Sequence, residues 1–285
     1  MRRKKIIVFF MIWAAAVSFG TSQSLKLKLS GGLSYASGGD LAKGIQGETE
    51  YLGADYSLSG EFRAPYLGID FEAELIYYFG PKFGIGLGAG YFRHAKESVV
   101  NYSIDLVGVK EILRPEFRVI PLTANLHYLV ALSPNFSLDL TAGAGFYLAT
   151  LDWDHRMDME IMGYQGNFEY TFKSIKGTVG FQAGLGLEMK ITSKVAFVWT
   201  VWGRYASIQE FKGDWSDKAG GELWSYEDSG NAGYAWTYDL IYNDKTYTRV
   251  VFDTNEPAGS NFSNVRQAKL SLTGMATTVG LKFGF

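Results

Sequence analysis

From Met275 to Phe285 the chain alternates strictly. Met275, Thr277, Val279, Leu281, Phe283 and Phe285 share one parity, and Ala276, Thr278, Gly280, Lys282 and Gly284 share the other. A period of two marks a β-strand with one apolar and one polar face. The stretch stops on an aromatic residue, which suits a strand whose outer face meets lipid and whose edges are both paired. The same rhythm recurs upstream. Leu25, Leu27, Leu29, Leu33 and Tyr35 oppose Lys26, Lys28 and Ser30, and Leu67, Ile69, Phe71, Ala73, Leu75, Tyr77 and Phe79 oppose Asp70, Glu72 and Glu74. Five more alternating stretches fall over 83–93, 120–130, 137–148, 177–191 and 195–206. Pro121, which has no ladder donor, predicts a bulge in the fourth strand.

Eight strands result. Their connections alternate between short ones (80–82, 132–135, 192–194) and long ones (37–63, 94–116, 152–174, 207–266). Short turns on one side and long loops on the other are the habit of a barrel crossing an outer membrane. Strands of ten to twelve residues, at ~3.3 Å each and a tilt near 40°, cross the ~25 Å apolar band. The reading is all-β: an eight-stranded antiparallel up-and-down transmembrane barrel with long extracellular loops. Two strand-like stretches, Tyr234–Tyr242 and Thr246–Phe252, meet at Asn243-Asp244-Lys245. They read as a hairpin outside the membrane, with ten spanning strands as the alternative.

The N-terminus sets the compartment. Arg2, Arg3, Lys4 and Lys5 precede an apolar run from Ile6 to Val17, followed by small residues. This predicts a secretory signal peptide over 1–22 and a barrel domain over 23–285. No other run nears the ~18 apolar residues of a membrane helix. The chain has no Cys, which excludes disulfides and a lipid-anchored Cys. Net charge is −2, which argues against nucleic acid as a partner. Aromatic content of 16% and 34 glycines agree with a barrel in a Gram-negative outer membrane.

With the outer parity fixed, the inward residues form a list: Lys26, Lys28, Lys190, Arg204 and Lys282 against Asp70, Glu72, Glu74, Asp139 and Glu188, with His127 among them. Charges inside so narrow a barrel must pair. If Tyr78 lies opposite Gly84, then Glu74 faces Gly88 and Glu72 faces Gly90, and the glycines make room. Lys28 then reaches Glu72 or Glu74. This network is either a narrow ion path or a plug. His127, Asp139 and Ser137 superficially suggest a hydrolytic set, but the position is low inside the barrel with no route for substrate. His94 and His155 lie on different loops, so no metal cluster is expected. Asp152, Asp154, Asp158 and Glu160 lack the glycine of a calcium loop. Gly84, Gly86 and Gly88 repeat every second residue, which is a strand face and not a dinucleotide fingerprint. Arg93 and Arg118 sit on the outer parity at the external ends of neighbouring strands, placed either to meet lipid phosphates or simply to snorkel at the rim. From Ile208 to Arg266 there are ten acids, five bases and a run of aromatics including Trp215, Trp224, Tyr226, Tyr238 and Tyr247. This loop, 208–266, is either a contact surface for a surface ligand or a self-packed cap.

The terminal strand ending in Phe285, the Phe79-Gly80-Pro81-Lys82-Phe83-Gly84 hairpin and the strand count together resemble the small outer-membrane β-barrel superfamily of the OmpA, OmpX and OmpW type. The resemblance implies assembly by the outer-membrane insertion machinery, which reads Phe285, Phe283 and Leu281. It does not fix an activity; the leading expectation is a barrel among outer-membrane lipids with a structural or surface-interaction role, no cofactor and no enzymatic activity. The alternatives are a narrow channel for small solutes or hydrophobic molecules and, behind it, a lipid-modifying barrel enzyme.

Overall fold

A computed structural model describes residues 24–161, 163–221 and 225–285. The signal peptide expected over 1–22 and Trp224 lie outside the described residues. Sixteen elements are present among them, fifteen of them strands. In chain order these are β1 (Ser24–Ala36), α1 (Gly39–Asp55), β2 (Leu67–Tyr78), β3 (Phe83–Ala95), β4 (Ser98–Ile104), β5 (Val107–Ala131), β6 (Phe136–Ile161) and β7 (Tyr164–Lys190). Then follow β8 (Val195–Tyr205), β9 (Ser207–Ile208), β10 (Lys212–Gly221), β11 (Ser225–Tyr242), β12 (Lys245–Asp253), β13 (Phe262–Gln267), β14 (Leu270–Ser271) and β15 (Gly274–Gly284).

All pairings are antiparallel. β1 pairs with β2 and with β15, β2 with β3, β3 with β5, β5 with β6, β6 with β7, β7 with β8, and β8 with β15. Followed strand by strand, this pairing returns to its start. The eight stretches read from the alternation are the members of that cycle. The strand count nevertheless exceeds eight, because the long connections are themselves β-structure. The expected loop 94–116 is β4 and the start of β5. The loop 152–174 is the outer half of β6 and β7, reversing beside Gly163 at φ 89°. The segment 207–266 holds β9 to β13. Its hairpin, β11–β12, turns at Asn243 and Asp244, both in the left-handed region. It pairs with β10 and β13 and does not enter the cycle, so the ten-strand alternative falls. Pro121 makes no bulge. The β3–β5 ladder skips two positions around it and resumes in the same register.

The polar stretch expected as a loop over 37–63 contains α1. Its buried residues Leu41, Ala42, Ile45 and Leu52 fall at helical spacing. Gly44 and Gly47 dilute that signal, since glycine weakens a helix interior. The packing requires them. A Cβ at Gly47 would strike the Thr248 carbonyl of β12, and one at Gly44 would strike Val250.

Two layers follow along the strands. In the first, from the short turns to about the level of Tyr35 and Leu148, the outer face is apolar and uncovered: Leu122 is 54% exposed and Val179 66%. On β6 this face runs from Phe136 to Leu148, about 30 Å of height at ~3.3 Å per residue and a tilt near 40°. In the second layer β5, β6 and β7 continue without changing parity, while the apolar residues change sides. Phe117, Leu151, Trp153 and Phe172 now point inward and join α1, Phe62 and Phe211 in one buried core. Each such side chain contributes roughly 1.5–3 kcal/mol.

Candidate functional site

The inward face of the first layer carries the charge network. Lys28, Glu74, His127 and Lys282 each expose 2% or less. Lys28 Nζ donates to Glu74 Oε2 at 3.1 Å. The other Glu74 oxygen accepts from Asn125 Nδ2 at 2.7 Å and pairs with His127 Nε2 at 2.9 Å. The far side of the His127 ring meets Asp139 at 3.0 Å. Lys282 Nζ reaches Asp139 at 3.2 Å, Tyr78 Oη at 3.3 Å, and Glu188. Lys28 also lies over the Trp202 ring at 4.7 Å. One level further out, Arg204 pairs with Asp70 at 3.1 Å and stacks on Phe92 at 4.5 Å.

The expected register is present: Tyr78 faces Gly84, Glu74 faces Gly88 and Glu72 faces Gly90. The room comes from glycines two places nearer the turn. A Cβ at Gly86 would strike the Glu74 carboxylate, and one at Gly88 would lie 3.3 Å from Glu72 Oε1. Side chains lean along a strand as well as standing off it.

Of the eleven inward residues named from the sequence, six form one connected set: Lys28, Glu74, His127, Asp139, Glu188 and Lys282. Asp70 and Arg204 form a second pair. Lys26 is half-buried over the Tyr78 ring at 4.8 Å. Lys190 is exposed at the turn and joins no ion pair among the described residues. Glu72 keeps one buried oxygen without a hydrogen-bond partner. The sequence reading missed Asn125, Gln182 and Tyr147, which carry the network across the lumen by neutral bonds of 3.1 and 3.2 Å. Their inward parity was the available signal. Thr141, not Ser137, is the hydroxyl beside His127, at 3.3 Å.

Arg93 and Arg118 face one another on neighbouring strands next to the apolar face, with protein partners the sequence did not indicate. Glu116 accepts from Arg93 at 2.8 Å and lies 3.3 Å from Arg118, which also bonds Asp152. The Arg93 hydrogen bond holds the Glu116 carboxyl below the usual carboxylate range. Asp154 and Asp158 pair with Arg114 and Arg156. No cluster able to hold a metal occurs among the described residues.

The second layer has its own buried polar centre. Glu111 on β5, 2% exposed, bonds His155 Nε2 of β6 at 2.9 Å and accepts from the Tyr102 hydroxyl of β4. Burial alone would raise the Glu111 carboxyl, but the His155 and Tyr102 bonds hold it below its ordinary value. Beside it, Arg249 of β12 grips Glu48 of α1 through two bonds of 2.7 Å. Arg266 holds Asp40 at the start of α1 at 2.9 Å. The aromatics of 208–266 divide between the two expectations. Tyr238 and Tyr247 are buried, whereas Tyr226 is 52% exposed.

A closed run of paired strands, apolar outside and charged inside, defines an all-β antiparallel protein of the outer-membrane barrel class. The chain belongs to the outer membrane protein beta-barrel domain family, whose model matches residues 7–235. Among solved structures, the outer membrane protein OprG from Pseudomonas aeruginosa is 12% identical with a TM-score of 0.37, covering 93% of this chain and 97% of that one. The outer membrane protease OmpT from Escherichia coli is 11% identical with a TM-score of 0.30, covering 93% and 96%. No curated protein matches the sequence.

Proposed function

We propose that the chain is an eight-stranded transmembrane barrel of the bacterial outer membrane that carries a rigid β-structure beyond the membrane as a surface for interaction. The observation that carries this is the change of sides on β5, β6 and β7. Their outer face is apolar for one membrane thickness and charged beyond it, so one set of strands serves two solvents. The first layer anchors, and its lumen is stoppered by buried charge, most of it held in ion pairs. The second layer is held to the anchor by continuous strands and a packed core, so a contact surface on it is preorganised. Arg93 and Arg118, already bridged to carboxylates, stand at headgroup level where lipid phosphates can join them. Phe285, Phe283 and Leu281 form the assembly signal for the insertion machinery. The role is non-enzymatic.

Two measurements on intact cells test this. Unboiled protein migrates faster than boiled protein on a gel and fractionates with the outer membrane. External protease trims residues beyond Leu148 and before Ile175 and leaves the first layer whole. Recovery of the mature chain from the aqueous extract without detergent would overturn the reading. A narrow channel is the second reading, and what favours it is the Glu72 carboxylate oxygen left without a hydrogen-bond partner in the lumen, beside Arg204 and Gln182. Conductance steps that change on Glu72→Ala would support it.

A further inference from the structure

The far end of the second layer carries a cleft of about 1190 Å³, open to solvent. Strand register sets out one of its walls. Asn101 of β4 faces Lys110 of β5, which faces Asp158 of β6, which faces Asn167 of β7, and Gly220 of β10 completes the row. One step nearer the tips, Ser103, Gly108, Glu160 and Gln165 form a second row on the same face. At ~4.8 Å between strands, the first row is roughly 19 Å long.

We infer that this wall is a binding site for a neutral, polyhydroxylated glycan. The inference rests on the surface-interaction reading and names its ligand class. The backbone of these strands is already spent in the ladder, so a ligand can be read only by side chains. The side chains are amides, carboxylates, hydroxyls and an ammonium, a mixture of donors and acceptors at close spacing. A sugar hydroxyl both donates and accepts, and suits such a mixture. Charge points the same way. Lys110 and Arg156 are balanced by Asp158 and Glu160, and Arg156 is already bonded to Asp158 at 2.8 Å. Neither a polyanion nor a cation is favoured by a wall with no net charge.

A second observation concerns Gly108. A Cβ there would meet no protein atom within 4 Å, and its backbone is not in the left-handed region. Neither packing nor conformation requires a glycine at this position, which lies inside the cleft. Its missing side chain leaves the floor open to a ligand lying across the rows. The same fact supplies the test, because a large side chain at 108 blocks the cleft and leaves the fold undisturbed.

Full-length protein in detergent micelles is titrated calorimetrically with two probes. One is a neutral O-polysaccharide cleaved from lipopolysaccharide and freed of its acidic, phosphorylated core, and the other is a panel of free neutral oligosaccharides of animal-cell type. Binding in either arm is expected, and the arm that binds tells whether the glycan belongs to the membrane's own surface or to another cell. Gly108→Leu weakens it roughly tenfold or more, and Asn167→Ala weakens it less. Both variants keep the gel shift between boiled and unboiled protein. No heat in either arm, or equal binding by Gly108→Leu, overturns the inference. If that happens while external protease still trims the second layer on cells, the surface role stands without a glycan. If the protease cannot reach it, the surface role falls as well.

Discussion

Phe146 and Asp154 lie on the same strand and point to the same side of the sheet. Phe146 is 46% exposed in a field of apolar neighbours, and Asp154 is paired to Arg114. On the opposite face of that strand the order reverses: Thr141 borders the His127–Asp139 contact, while Leu151 and Trp153 lie in an apolar core. Nothing in the backbone marks the change. Register runs unbroken from Ser137 to Ile161 against β5 and from Phe136 to Ile161 against β7. A paired strand fixes which face a residue occupies, and the medium beyond that face fixes what the residue must be. On the proposed reading, the two halves of β6 answer to lipid outside and polar side chains inside, then to water outside and an apolar core inside.

The halves should therefore break in different ways. The largest loss is expected in the first layer. Lys282→Met strands Glu188 in the lumen and leaves Asp139 with His127 as its remaining charged partner, and leaving a buried charge unpaired costs about 3–5 kcal/mol. A urea titration followed by the unboiled gel band measures it. Leu122→Lys and Ile112→Lys then compare one strand and one parity in two media. On the lipid face a lysine costs about 2–4 kcal/mol, whereas in water a surface change stays within about 0.5 kcal/mol. Equal costs would contradict the boundary. Gly47→Val drives a side chain into the Thr248 carbonyl and should cost about 1–3 kcal/mol by displacing α1. It is read as faster proteolysis of the second layer with an unchanged gel shift.

A pH dependence separates the layers further. Glu111 titrates lower when folded than its ordinary value of 4.5, so its contribution is complete above that value. It is lost as pH falls through the lower, folded value, because the unfolded chain then binds the proton more readily. Acid should loosen the second layer, seen as amide exchange on β4 and β5, and Glu111→Gln should remove that dependence. A small effect is also expected at the exposed belt, where Arg93→Ala costs about 0.2–1 kcal/mol.

The first layer was legible because its alternation places grease outside and charge inside, and because the Phe79–Lys82 turn fixes register. From those two facts the Glu74–Gly88 pairing follows, with Lys28 within reach of Glu72 or Glu74; the structure pairs it with Glu74. The second layer was hidden by its own inversion. Arg114, Glu116 and Arg118 alternate with Leu113, Pro115 and Phe117, but a chain read as membrane strand or loop has no place for a strand that is charged outside. α1 was hidden by the glycines that let it approach β12. Asn125 and Gln182 were hidden because amides, unlike charges, carry no demand for a partner visible in sequence.

Because the chain contains no cysteine, single introduced thiols report unambiguously on each position. Phe146→Cys, Leu148→Cys, Asp154→Cys and Asp158→Cys, placed one at a time on the outer face of β6 in lipid vesicles, give the most direct measurement. A fluorophore at 146 or 148 should be quenched by spin-labelled acyl chains and slow to react with a water-soluble thiol reagent. Thiols at 154 and 158 should behave oppositely. Uniform labelling and uniform quenching along all four positions would contradict a strand that passes from lipid into water near Thr150.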